Sequence, residues 1–115
     1  MRGLTMDYPL TLDVIARRAE TLFGDRPVVS RRADRSIHRT TYTACLHRAR
    51  RLACALGALG VRPGDRVATL CWNHDRHLEA YFGVPLAGAV LHTLNLRLHA
   101  DELAYISRHA EDRVL

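Results

Sequence analysis

Apolar residues recur at Leu12, Ile15, Ala16, Ala19, Leu22 and Phe23. This 3.6-residue spacing predicts an amphipathic helix over Leu12–Phe23, with Thr11 as its cap and Gly24 as its stop. Pro27–Ser30 then predicts a strand, Ala33–Ser36 a turn, and Ile37–Thr40 a returning strand, together a β-hairpin. Tyr42, Cys45, Leu46, Ala49, Leu52, Ala53, Leu56 and Leu59 mark the longest predicted helix, Tyr42–Leu59. Thr41 caps it, Gly60 ends it, and His47, Arg48, Arg50 and Arg51 form its polar face. Arg62-Pro63-Gly64-Asp65 reads as a turn, because Pro presets φ and Gly permits a left-handed position.

The run Arg66–Cys71 is nearly continuous in apolar residues, which suits a strand covered on both faces of a parallel sheet. Asn73 or Asp75 caps a predicted helix over Arg76–Ala87, and Pro85 inside it predicts a kink or an early end. Val90–Leu94 reads as a strand, Asn95–Leu98 as a loop, Asp101–Ala110 as a helix, and Arg113–Leu115 as the opening of another strand. Strands therefore recur near positions 68, 92 and 114, separated by helices. That order predicts an α/β fold: a short β-hairpin, then a parallel βαβαβ unit with flanking helices. The chain stops on what this pattern makes an inner strand. The expectation is the front portion of a longer protein, or a truncated gene product.

Composition narrows the chemistry. The chain has 115 residues, enough for one domain. All 17 of its basic residues are Arg. With no Lys, it can supply neither a Schiff-base lysine nor a phosphate-loop lysine. The net charge of +5 invites a nucleic-acid reading. The arginines are scattered and mixed with acids, so no nucleic-acid partner is expected. No apolar run approaches the roughly 18 to 20 residues of a membrane span. The N-terminus, Met1–Asp7, has no apolar signal core, and a cytoplasmic location is expected. Cys45, Cys54 and Cys71 read as reduced, buried, small apolar side chains.

Gly57, Gly60 and Gly64 have the wrong spacing for a phosphate-binding loop, and no G-x-S-x-G elbow is present. Cys71, His74 and His77, with Glu79 nearby, match no metal-ligand spacing and read as a solvated helix start, so no metal site is expected. His92 reads as a hydrogen-bonded core histidine. Trp72, Tyr81 and Phe82 read as core or sheet-covering residues. The basic helix Tyr42–Leu59 is expected to pack on the sheet instead of lying on a membrane. Asn95 and Arg97 lie just beyond the C-terminal end of a parallel strand, the edge where open α/β sheets bind ligands. They are the site candidates. No catalytic residue is assigned.

The segment Gly60-Val61-Arg62-Pro63-Gly64-Asp65-Arg66-Val67-Ala68 strongly resembles the adenylate-forming superfamily, and within it the acyl-CoA synthetases, or fatty-acid–CoA ligases. Leu22-Phe23-Gly24-Asp25-Arg26-Pro27-Val28-Val29 is similar to that family's opening after its first helix. Trp72-Asn73, Glu79–Pro85 and Gly88–Asn95 resemble its medium- and long-chain ligases in particular. Arg97-Leu98, Glu102-Leu103 and His109–Asp112 continue the series, so the resemblance runs from about Leu10 to the end of the chain. Leu96 departs from it: these ligases usually carry Pro between the Asn and the Arg, and Leu lacks that rigidifying ring.

The resemblance implies that residues 1–115 are the incomplete N-terminal part of a large AMP-binding domain, cut in a strand. It implies a parent that forms an acyl-adenylate from a fatty acid or other carboxylate with ATP and Mg2+, then transfers the acyl group to coenzyme A. The family's Thr/Ser/Gly-rich loop ending in Pro-Lys-Gly and its C-terminal lysine fall beyond residue 115, so the isolated chain is expected to be inactive. The loop carrying Asn95 and Arg97 would lie toward the coenzyme A side. The competing expectation is a small non-catalytic α/β association module or split-enzyme remnant. It would form a homodimer or join the missing remainder.

Overall fold

The computed structural model describes residue 7 and residues 9–115. The signal-segment reading of Met1–Asp7 falls almost wholly outside them. Helix α1 spans Leu12–Phe23, as the periodicity predicts. Its start differs from expectation: Thr11 makes no side-chain cap, because its hydroxyl donates to the Asp13 carboxylate. Gly24 does end the helix, but in ordinary right-handed geometry. Crowding explains this glycine, since a Cβ would lie 2.5 Å from the Thr43 hydroxyl oxygen and 2.6 Å from the Glu20 carbonyl.

Strands β1 (Pro27–Arg31) and β2 (Ile37–Thr41) form the predicted antiparallel hairpin, with Val29 opposite Arg39. At its tip the Asp34 carboxylate accepts from the Ser36 N–H and hydroxyl, and Arg35 takes φ +68°. Helix α2 (Tyr42–Ala58) starts at a true cap, where the Thr41 hydroxyl oxygen accepts from the Ala44 N–H at 3.2 Å. Its buried residues are Cys45, Leu46, Ala49 and Leu56, all within the predicted apolar set. The expected turn follows. The Arg62 N–H donates to the Asp65 carboxylate at 2.8 Å, and Gly64 takes φ +86°.

Strands β3 (Arg66–Thr69), β4 (Val90–Thr93) and β5 (Asp112–Val114) make a parallel sheet in the order β4-β3-β5. Ala68 pairs with His92, Thr69 with Thr93, and Arg66 with Asp112. Central β3 buries both Val67 and Ala68, so it is covered on two faces as expected. The strand expected to be inner, β5, flanks the three-stranded sheet. Helices α3 (Asp75–Leu86) and α4 (Ala100–His109) are the crossovers. The expected caps Asn73 and Asp75 are replaced by His74, whose ring accepts from the Arg76 N–H at 3.1 Å. Pro85 is tolerated in the last turn, and α3 ends one residue later. Leu56, Val61, Val67, Val84 and Ala89 form the core between α2, α3 and one face of the sheet.

Two burial expectations fail. Cys45 is buried, but Cys54 is exposed on α2 and Cys71 only half-buried. Trp72 is 69% exposed and Tyr81 is also exposed. The cause lies in β3, which ends at Thr69 and not at Cys71, so Cys71 and Trp72 belong to the loop beyond the sheet.

Candidate functional site at the carboxyl edge of the sheet

The loops leaving β3 and β4 enclose a cleft of about 340 Å³. Cys71, Trp72 and Asn73 line one side, Thr93, Leu94, Asn95, Leu96 and Arg97 the other, with His77 and Tyr81 of α3 behind. Parallel strands deliver both loops to the same edge, and the Leu94 N–H to Thr69 carbonyl bond at 2.9 Å holds them in register. Both sequence-predicted candidates, Asn95 and Arg97, are therefore brought together on one wall.

Asn95 shapes its own loop. Its side-chain oxygen accepts from the Arg97 N–H at 3.0 Å, and the Leu98 N–H reaches the Asn95 carbonyl at 3.2 Å. The turn thus closes with Leu96 in the place the resemblance gives to Pro. The Arg97 side chain is exposed and pairs with no acid among the described residues. A guanidinium so placed can donate two parallel hydrogen bonds to a phosphate or carboxylate.

His77 anchors the rear wall. Its Nδ1 lies 3.0 Å from the Asn73 side-chain oxygen and its Nε2 lies 3.1 Å from the Thr69 hydroxyl. An amide oxygen only accepts, so Nδ1 carries the proton and Nε2 accepts from Thr69. Burial, followed by the nearby His74, holds the His77 ring below its ordinary pKa. Its ring packs on Tyr81 with centroids 4.9 Å apart. The i, i+4 spacing of Asn73, His77 and Tyr81 was a signal that sequence reasoning missed. The Cys71 sulfur lies 3.6 Å from His74 Nε2, and burial pushes its thiol up.

Next to this cleft, α2 and α3 are clamped by a buried carboxylate. Glu79 accepts from Arg48 Nε at 2.6 Å and from Arg76 Nη1 at 3.1 Å. His92 lies away from the cleft wall. Its Nδ1 donates to the Asp112 carboxylate at 2.9 Å, bridging β4 to β5 over Ala68. It is hydrogen-bonded as expected, though only half-buried. Among the described residues, no group of three or more His, Cys, Asp or Glu is arranged to hold a metal ion.

The AMP-binding enzyme family model matches residues 16–115. The long-chain-fatty-acid–CoA ligase of Thermus thermophilus is 59% identical over 110 residues, covering 96% of this chain and 20% of that protein. The 3-methylmercaptopropionyl-CoA ligase of Ruegeria lacuscaerulensis is 42% identical over 115 residues, covering all of this chain and 21% of that protein. Among solved structures, the N-terminal domain of FACL13 from Mycobacterium tuberculosis superposes with a TM-score of 0.81 at 29% identity, over 90% of this chain and 26% of that one. The chain spans about a fifth of the length of the curated relatives it matches. No helix among the described residues is long and apolar enough to cross a membrane. With its parallel sheet and its matched residues together, the chain belongs to the AMP-binding enzyme family, as a segment of the acyl-CoA synthetase kind.

Proposed function

We propose that the chain serves as the N-terminal wall of a fatty-acid–CoA ligase's large domain. That parent is an AMP-forming acid–thiol ligase, working in the cytoplasm. It joins a carboxylate to coenzyme A through an acyl-adenylate made with Mg-ATP. The observation that carries this reading is the family match over residues 16–115, at 59% identity to a fatty-acid–CoA ligase.

Within that reading, Arg97 binds an anionic group of coenzyme A, and Asn95 fixes the loop that aims it. The chemistry of the wall fits: the Arg97 guanidinium is exposed and without an acid partner, and the Asn95 turn holds its backbone. Coenzyme A supplies the thiol that takes the acyl group. This chain's residues bind and orient it and hold no proton for the transfer. The chain has no lysine and no phosphate loop, so by itself it is inactive.

The test has two arms. The isolated chain is assayed for ATP–pyrophosphate exchange with fatty acids, and none is expected. The chain is then grafted in place of the matching segment of the Thermus thermophilus ligase. The chimera is expected to be active, and Arg97→Gln within it to raise the KM for coenzyme A severalfold while leaving exchange unchanged. Robust exchange by the isolated chain defeats the first claim. An Arg97→Gln effect on exchange alone defeats the second.

A second reading, a non-catalytic association module, draws support from Val90 and Leu115. These exposed apolar residues lie on or beside the open strands β4 and β5. Self-association or capture of the missing remainder supports it, and a stable monomer counts against it.

A further inference from the structure

The loop that leaves β3 carries one wall of the cleft, and its own backbone does little to hold it. Pairing with β4 stops at Thr69 and Thr93. Beyond that point, the main-chain groups of Cys71, Trp72 and Asn73 make no backbone–backbone hydrogen bond among the described residues. Side chains must therefore place the loop. We propose that His77 is a positioning residue of the cleft: it fixes Asn73, and through Asn73 the wall that faces Arg97, a role that rests on the reading of this cleft as the coenzyme A site.

Two side-chain contacts hold the loop to α3. The first joins the Cys71 sulfur to His74 Nε2 at 3.6 Å, and a thiol makes a weak partner. The second joins Asn73 Oδ1 to His77 Nδ1 at 3.0 Å, an ordinary hydrogen-bond length. The imidazole end of this second bond is itself fixed. His77 is only 6% exposed. Its Nε2 takes the Thr69 hydroxyl at 3.1 Å, which joins the ring to the end of β3, and its face packs on Tyr81. With one nitrogen and one face committed, the Nδ1–H is aimed at Asn73. An exposed loop is thus held by a buried donor whose direction is set from two sides.

The consequence falls on binding. Cys71, Trp72 and Asn73 stand on one side of the cleft and Arg97 on the other. A ligand that meets Arg97 has its far side set by where the β3 loop stands. A site left about 1 Å too loose fails even when every contacting group is present. Releasing Asn73 therefore weakens binding without touching Arg97. Asn95 does the corresponding work on the opposite wall, where its side-chain oxygen accepts from the Arg97 N–H. Each wall of the cleft then has its own holding residue, one within the loop and one beneath it.

Two substitutions divide the work of the ring. His77→Asn puts an amide nitrogen near the Nδ1 position and keeps the donor to Asn73. His77→Gln puts its amide near the Nε2 position and keeps only the partner of Thr69. Trp72 is the only tryptophan of the chain, so its time-resolved anisotropy reads the loop with no ligand present. In the full chain, His77→Gln and Asn73→Ala are expected to raise the amplitude of fast Trp72 motion severalfold, with an unchanged circular dichroism spectrum. His77→Asn is expected to stay near the wild type. In the chimera with the Thermus thermophilus ligase, His77→Gln and Asn73→Ala are expected to raise the KM for coenzyme A severalfold with kcat nearly unchanged. His77→Asn is expected to restore the KM. Equal effects of the Gln and Asn variants would make His77 a packing residue and overturn the proposal. Trp72 motion unmoved by Asn73→Ala also overturns it, and Asn73 is exposed, so that variant stays folded. If Arg97→Gln leaves the KM for coenzyme A unchanged, the coenzyme A reading fails, and the order of the Trp72 anisotropies then decides the role of His77 by itself.

Discussion

Gly83 has no room for a side chain. A Cβ there would lie 2.8 Å from the Ala49 carbonyl oxygen and 2.9 Å from Leu52 Cδ2, so α2 and α3 approach through this point. Gly83→Ala is expected to cost about 1 to 3 kcal/mol, the usual penalty of overpacking a close contact. A lowered urea midpoint with unchanged slope would show it, and an unchanged midpoint would mean the helices can separate freely. Leu96 predicts the opposite sign. It occupies the second position of the turn closed by the Leu98 N–H to Asn95 carbonyl bond, and its own N–H makes no backbone bond among the described residues. Pro suits that position, and Leu96→Pro is expected to stabilise by about 0.4 to 1 kcal/mol through the unfolded state. Destabilisation on thermal melting would show that the turn's backbone does not accept proline's φ.

His77 adds a pH dependence. Its folded-state pKa lies below the ordinary 6.5, first because of burial and second because of His74. Below that ordinary value the unfolded chain takes up the proton more readily than the folded one, so stability rises with pH through the window. The contribution is whole above about pH 6.5 and is lost as pH falls from there toward the folded pKa. Urea midpoints of the wild type are expected to fall across this window more steeply than those of His77→Gln. Parallel slopes would remove His77 as the cause.

At the scale of elements, the two threonine caps separate sequence from geometry. Both precede an amphipathic run and both were predicted to cap. Only Thr41 accepts a bond from its helix, at the Ala44 N–H, while Thr11 turns to Asp13. Thr41→Ala is expected to cost about 1 kcal/mol, and Thr11→Ala much less than that, by thermal or urea unfolding. Equal losses would show that the Thr11 contact matters as much as a cap. The helices were legible because their apolar stripes are long, and α1 has the predicted limits. The strand ends were not: nothing in Leu70-Cys71-Trp72 distinguishes a strand from an apolar loop, and pairing with β4 stops at Thr69 and Thr93. That local difference moved Trp72 from the core to the surface, where it lines the cleft. Asn95 and Arg97 could be found because a parallel βαβ order points to its carboxyl edge.

Across the whole molecule, the Cα radius of gyration is 16.3 Å. A compact chain of this length would have about 13 Å. The core packs between α2, α3 and the sheet, while Val90 and Leu115 at its flanking strands stay largely exposed. Leu12, Ile15, Leu22 and Phe23 of α1 are also open to solvent. The association module proposed above requires that part of this apolar surface be contiguous enough to be covered by another protein. The chain in dilute solution is expected to associate with rising concentration, and light scattering after size exclusion would read a mass above the monomer. Charged substitutions confined to the exposed surface, Val90→Glu with Leu115→Glu, should return it to the monomer without loss of helical signal. If the wild type stays monomeric at high concentration, the uncovered surface does not drive association. If the charged variant still associates, the contact lies elsewhere, with the exposed stripe of α1 as the next surface to change.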